Sequence, residues 1–203
     1  MAIQYDVKAH VIDIAVDIPC STDSIFVDSN VWFWQTYTRA TAAGRRYQTI
    51  RYPNYIRSAL RRGAKLYYSG LSFAELAHTI EKAEFDFGRA TGIITSSTLK
   101  ECRHNEPLHR LSTVREISAA WGQVENIGGT LDFVIDRDFT DRAQSRLQAE
   151  CVDGHDAFLL ESLTSKGISQ ILTDDGDYSS VNGIQLFTAT RRFSLRRNLK
   201  AYC

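Results

Sequence analysis

Residues 25–32 read Ile25-Phe26-Val27-Asp28-Ser29-Asn30-Val31-Trp32. Three consecutive apolar residues with no polar alternation mark a strand covered on both faces, the habit of parallel rather than antiparallel sheets. The polar trio Asp28-Ser29-Asn30 then supplies helix-starting chemistry. An aromatic-rich helical pattern follows over residues 30–43. A buried strand that runs straight into a helix is the first half of a βαβ unit.

The same grammar recurs along the chain. Strands are predicted at Lys65-Leu66-Tyr67-Tyr68-Ser69, at Ile168-Ser169-Gln170-Ile171-Leu172-Thr173, and at Ile184-Gln185-Leu186-Phe187-Thr188-Ala189 after an Asn182-Gly183 turn. Helices are predicted over 53–62, opening on Pro53 and stopping at Gly63, over 72–87, and over 153–166, stopping at Gly167. In the second of these, Phe73, Leu76, Ala77, Ile80 and Phe87 fall on or near one face. Alternating strands and helices predict an α/β fold, a single-domain α/β/α sandwich with a mostly parallel central sheet. Residues 1–24 read as an extension whose apolar run, 5–18, adds a strand suited to an edge. Residues 25–190 form the domain proper, with 88–150 a mostly helical insertion broken at Gly128-Gly129, and 191–203 form a basic tail.

The composition excludes several classes. At 203 residues, with 43% hydrophobic and 24% charged residues, the chain is long enough for one well-packed domain and too apolar for disorder. No window approaches the ~18 apolar residues of a membrane span, and Asp6, Asp13 and Asp17 interrupt the first apolar run, unlike a signal peptide. Cys20, Cys102, Cys151 and Cys203 are scattered, which fits a reduced, cytoplasmic setting. Cys102, His104 and His109 lack the second cysteine a zinc site wants. The 24 acidic and 24 basic residues balance overall, but unevenly along the chain. Residues 29–74 hold 8 bases and no acid, and 179–203 hold 5 bases and no acid. Such a segment suits a polyanion, with Arg57, Arg61 and Arg62 among its candidate contacts and Tyr47, Tyr52 and Tyr55 interleaved where they could stack on bases. A solvated helix face is the competing explanation.

In open α/β sheets the ligand crevice lies beyond the carboxyl ends of the strands. Asp28 follows one predicted strand there, and Asp174, Asp175 and Asp177 follow another. Glu75 lies one helical turn beyond a third, and Asp156 opens the helix that feeds the last acidic strand. Each has a purely structural explanation: Asp28 as a helix cap, Ser72 and Glu75 as a capping box, Asp156 as a helix-dipole partner, and Asp174–Asp177 as turn residues. Carboxylates that converge on one sheet end repel each other unless a cation intervenes, and an all-oxygen set suits Mg²⁺ or Mn²⁺. No Ser–His–acid set, phosphate-binding loop or dinucleotide fingerprint competes.

These segments resemble the four motifs of the PIN-domain nuclease family, including its VapC-type toxin ribonucleases. The resemblance rests on Phe26-Val27-Asp28-Ser29-Asn30-Val31-Trp32, Ser72-Phe73-Ala74-Glu75-Leu76, Gly154-His155-Asp156-Ala157-Phe158 and Ile171-Leu172-Thr173-Asp174-Asp175-Gly176-Asp177-Tyr178, in that order, within residues 25–190. It implies a divalent-metal-dependent ribonuclease that uses Mg²⁺ or Mn²⁺, with Asp28, Glu75, Asp156 and Asp175 as catalytic and metal-binding acids. Asp177 would be a further ligand, Asn30 and Thr173 would orient carboxylates, and Asp174 competes with Asp175 as the fourth acid. The implied partners are RNA, an antitoxin protein and a second copy of the chain, with no membrane. Two other functions fit parts of the sequence: a catalytically silent nucleic-acid-binding or interaction module on the same fold, and a haloacid-dehalogenase-like phosphatase. The latter needs an acid where Asn30 stands.

Overall fold

The computed structural model describes residues 3–190. The basic tail predicted at 191–203, with Arg191, Arg192, Arg196, Arg197 and Lys200, lies outside the described residues. Six strands form one all-parallel sheet: β1 (His10–Asp13), β2 (Ser24–Val27), β3 (Lys65–Ser69), β4 (Gly129–Leu131), β5 (Gln170–Leu172) and β6 (Gln185–Thr188). Their spatial order is β1-β6-β5-β2-β3-β4. The helices between them are α1 (Ser29–Thr36), α2 (Ala40–Ala43), α3 (Arg46–Arg61), α4 (Gly70–Ala90), α5 (Leu99–Asn105), α6 (Pro107–Ile127), α7 (Arg137–Ala149) and α8 (Gly154–Ser165).

Two apolar layers sandwich the sheet, because alternate residues of each strand face opposite sides. Ile25 and Val27 of β2 join Trp32, Tyr52, Ile56, Leu76 and Val124 on the side of α1, α3, α4 and α6. Phe26, between them, joins Leu159, Leu160 and Leu163 of α8 on the other side. The α/β/α sandwich expected from the sequence is therefore present. From β2 the chain winds outward through β3 to β4, whereas β5 and β6 lie on the other side of β2. The order reverses between β2 and β5, where Phe26 pairs in register with Ile171. A crevice opens at the carboxyl ends of two strands whose connections diverge in this way.

Four local features differ from the sequence expectation. Helix α3 begins at Arg46 rather than at Pro53, which lies inside it. Pro53 has no N–H to give the preceding turn, and that first turn is instead anchored by side chains described below. The helix expected over 30–43 breaks into α1 and α2, with Tyr37 extended between them and its hydroxyl 2.7 Å from Glu84 Oε1. The expected insertion over 88–150 contributes β4, which pairs with β3. At Gly128, just before β4, a Cβ would stand 3.0 Å from the Tyr68 ring, a close approach that favours glycine. Finally, Phe73 and Phe87, placed near the apolar face of α4, are 43% and 38% exposed. The remaining stops hold: Gly63 and Gly167 adopt φ of +79° and +69°, backbone that favours glycine.

Candidate functional site

Asp28 stands at the carboxyl end of β2, caps α1, and is only 5% exposed. Its Oδ1 accepts from the Ser29 amide at 2.7 Å. Its Oδ2 accepts from Asn30 Nδ2 at 2.6 Å and from Thr173 Oγ1 at 2.5 Å. Thr173 directly follows β5, so this one carboxylate ties the ends of the two strands that flank the reversal. The Thr173 hydroxyl also accepts from Asn30 Nδ2 at 3.1 Å and from the Asp175 amide at 2.9 Å. Asn30 and Thr173 thus hold Asp28 in place, and Thr173 sets the turn that carries Asp175.

Asp156 comes from the opposite layer. Asp153 caps α8 by accepting from the Asp156 amide at 2.9 Å, which leaves the Asp156 carboxylate free of the capping role. Tyr178, buried in the 3₁₀ turn Asp177–Ser180, donates to Asp156 Oδ1 at 2.7 Å. Glu75 is likewise no cap. The capping box of α4 pairs Ser69 with Ser72: the Ser69 amide donates to Ser72 Oγ at 3.2 Å, and the Ser72 amide donates to Ser69 Oγ at 3.4 Å. This overturns the Ser72–Glu75 box considered from sequence, because α4 starts at Gly70, immediately after β3. Glu75 is left half-exposed, with Oε2 3.5 Å from His155 Nδ1.

The charges of these acids act on one another. Burial, and next to it the charge of Glu75, push the Asp28 carboxyl up to about 8; Asp156 and Asp175 add to the effect, and the Thr173 hydrogen bond opposes it. Burial pushes Asp156 up to about 7, against the Tyr178 hydrogen bond, with Asp153, Asp175 and Glu75 reinforcing the rise. Asp177 is raised by burial and by Asp175 and Asp153. Buried Tyr178 is raised above its ordinary range, with Asp28, Asp156 and Glu75 contributing. No Lys or Arg among the described residues lies within ion-pair distance of Asp28, Glu75, Asp156 or Asp175.

Asp174 has a different surrounding. Its Oδ2 accepts from Tyr47 OH and Gln48 Nε2, both at 2.7 Å, and its Oδ1 accepts from Tyr52 OH at 2.7 Å. All three donors belong to α3, so Asp174 fastens that helix to the end of β5, whereas exposed Asp175 adds its charge to Asp28 and Asp156. This anchor and the Tyr178 clamp were not legible in the sequence. Tyr178 did stand within the fourth acidic segment, but Gln48 and Asp174 are 126 positions apart and carry no local signal.

The structure does not bring Arg57, Arg61 and Arg62 to the acids. Helix α3 runs away from Asp174, and Lys65, just beyond its end, donates its amide to Asp23 O ahead of β2. Arg61 is about 20 Å along the helix from Gln48. These arginines are exposed at the amino edge of the sheet.

The donor chemistry suits a hard cation: several carboxylates, no Lys or Arg paired with them among the described residues, and Asn30 Oδ1 buried in the site without a hydrogen-bond partner. As the side chains stand, no three His, Cys, Asp or Glu among the described residues are grouped so as to hold a metal ion. Among the described residues no helix is long and apolar enough to cross a membrane. Comparison of the sequence with models of known protein families finds no match, and comparison with curated proteins finds none either.

Proposed function

We propose that the protein is a divalent-metal-dependent ribonuclease of the PIN-domain kind, cutting RNA phosphodiester bonds at the acidic crevice between β2 and β5. One observation carries this reading. Asp28 is buried at the sheet reversal, its carboxyl tied by four hydrogen bonds, and pressed by Glu75, Asp156 and Asp175 with no Lys or Arg among the described residues to neutralise them. Such crowding is unfavourable in itself and is relieved by a bound cation.

Asp28, Glu75, Asp156 and Asp175 are the residues that would hold Mg²⁺ or Mn²⁺, with Asp177 beside them. When bound, such an ion stabilises negative charge on a phosphate and lowers the pKa of a water. The chain's own groups prepare the site. Asn30 and Thr173 fix Asp28, Tyr178 fixes Asp156, and the half-exposed Glu75 carboxylate can accept a proton from a water presented to the phosphate. A role as a toxin restrained by an antitoxin, in the cytoplasm, extends the proposal through the same resemblance.

A non-cleaving RNA-binding module is the second reading, favoured by the exposed Arg46, Arg57 and Arg61 of α3, which need no metal ion to hold a phosphate backbone. Incubation of purified protein with a mixed single-stranded RNA pool, in Mn²⁺, in Mg²⁺ and in EDTA, separates the two. Metal-dependent cutting that disappears in Asp28→Asn is the expected result. RNA bound but uncut under every condition would overturn the nuclease in favour of the module.

A further inference from the structure

We infer that Arg45 and Arg46, at the head of α3, form the RNA phosphate-binding rim of the acidic site. This inference rests on the proposal that RNA is the ligand. An acidic crevice repels a polyanion, so cations must stand close enough to hold a flanking phosphate. The arginines singled out by the charge run, Arg57, Arg61 and Arg62, lie toward the amino ends of the strands, away from the acids.

Gln48 locates the right ones. Its Oε1 accepts from the Arg45 amide at 2.7 Å while its Nε2 donates to Asp174 Oδ2 at 2.7 Å. The backbone of Arg45 is therefore one carboxamide away from Asp174, whose neighbour Asp175 belongs to the acid cluster. Tyr47, and Tyr52 one turn further along, also lock α3 onto Asp174, so this placement is held by three side chains rather than by a loop. Both arginines are exposed, and neither has a carboxylate within ion-pair distance among the described residues. Other arginines of the molecule are committed: Arg103 and Arg110 to Glu81, Arg142 and Arg146 to Glu161, and Arg39 to Glu84. Two uncommitted guanidiniums, on a backbone held one side chain away from Asp174, are suited to bidentate phosphate contact. The Asp174 anchor is thus a positioning device: it sets where α3 delivers positive charge.

The test is fluorescence anisotropy of a labelled single-stranded RNA with the wild-type chain in EDTA, at several salt concentrations, beside two sets of variants. Arg45→Ala/Arg46→Ala should weaken binding and reduce the log–log salt slope by about 1.4, at about 0.7 per phosphate contact on a single strand. Arg45→Lys/Arg46→Lys should restore most of the slope, which a misfolded variant would not do. Arg57→Ala/Arg61→Ala/Arg62→Ala should leave the slope unchanged. A slope unaffected by the first pair, or one carried by the triple set alone, overturns the assignment. Cleavage in Mn²⁺ is scored separately: pair-dependent binding without cutting refutes the nuclease and leaves the rim standing, whereas cutting with pair-independent binding refutes the rim alone.

Discussion

Replacing Asp28 by Asn should make the metal-free protein more stable at neutral pH. The carboxyl has an ordinary value of 3.8 and is pushed up to about 8 in the fold. The folded chain therefore binds more protons than the unfolded chain between those values, and stability falls as pH rises through that window. Its favourable contribution is fully present below 3.8 and is lost as pH approaches 8. At pH 7, between those two values, the buried carboxyl is mostly protonated, and taking up that proton on folding costs about 4 kcal/mol relative to acid pH, at 1.36 kcal/mol per pH unit above 3.8. Asn removes the charge but places an NH₂ where Oδ2 accepted from Asn30 and Thr173, a loss of about 1 kcal/mol. The Asn30 amide can turn to offer its unpartnered Oδ1 to that group. The net expectation is a gain of about 3 kcal/mol at pH 7, shrinking toward zero near pH 5. Urea unfolding followed by circular dichroism in EDTA, at pH 5 and pH 8, measures it. Asp156, raised to about 7, keeps part of the pH dependence in the variant. A variant less stable than wild type at pH 8, or a wild-type stability flat across the range, refutes the claim that these acids crowd one another.

The two roles at the start of α4 separate cleanly. Ser69→Ala removes the cap and should cost about 1 kcal/mol in the same unfolding assay, while Glu75→Gln should not lower stability yet should abolish RNA cutting; the reverse pattern would restore Glu75 to a capping role. Tyr178→Phe deletes only the hydrogen bond to Asp156 and should lower kcat with the fold intact, so an unchanged kcat removes Tyr178 from the site. Glu81 accepts from Arg103 Nε at 2.6 Å and from Arg110 at 3.0 Å, and the Arg103 hydrogen bond holds its carboxyl below the usual range. Glu81→Gln should therefore destabilise by about 2 kcal/mol, because it leaves two guanidiniums without their anion. Wild-type stability should also fall as acid protonates Glu81, and a Glu81→Gln variant of unchanged Tm would contradict that.

The sheet was legible because its strands are short, continuous apolar runs that end in polar turns. Ile25-Phe26-Val27 can lie only between two covered faces, and an acid that follows such a run must stand at the carboxyl edge. The positions of Asp28, Glu75, Asp156 and Asp175 relative to their strands followed from that rule. What was not legible depends on long-range contact. β4 is three residues long and opens on Gly129, so no periodicity announces it. Helix α3 tolerates Pro53 because Tyr47, Gln48 and Tyr52 fix its first turns to a carboxylate from the far end of the sequence. The same contact sets which end of α3 lies beside β5, information that charge runs alone, which singled out Arg57, Arg61 and Arg62, do not carry. Ser69 hid its capping role by being read as the last residue of β3, which it also is.

The most direct test of the central claim is a titration of Mn²⁺, with free ion followed by its electron paramagnetic resonance signal, into wild type and Asp28→Asn at pH 7.5. The account predicts that wild type withdraws the signal, that the variant does so far more weakly, and that both remain folded. Equal uptake by the two proteins, or none by wild type, would contradict a metal site built on Asp28.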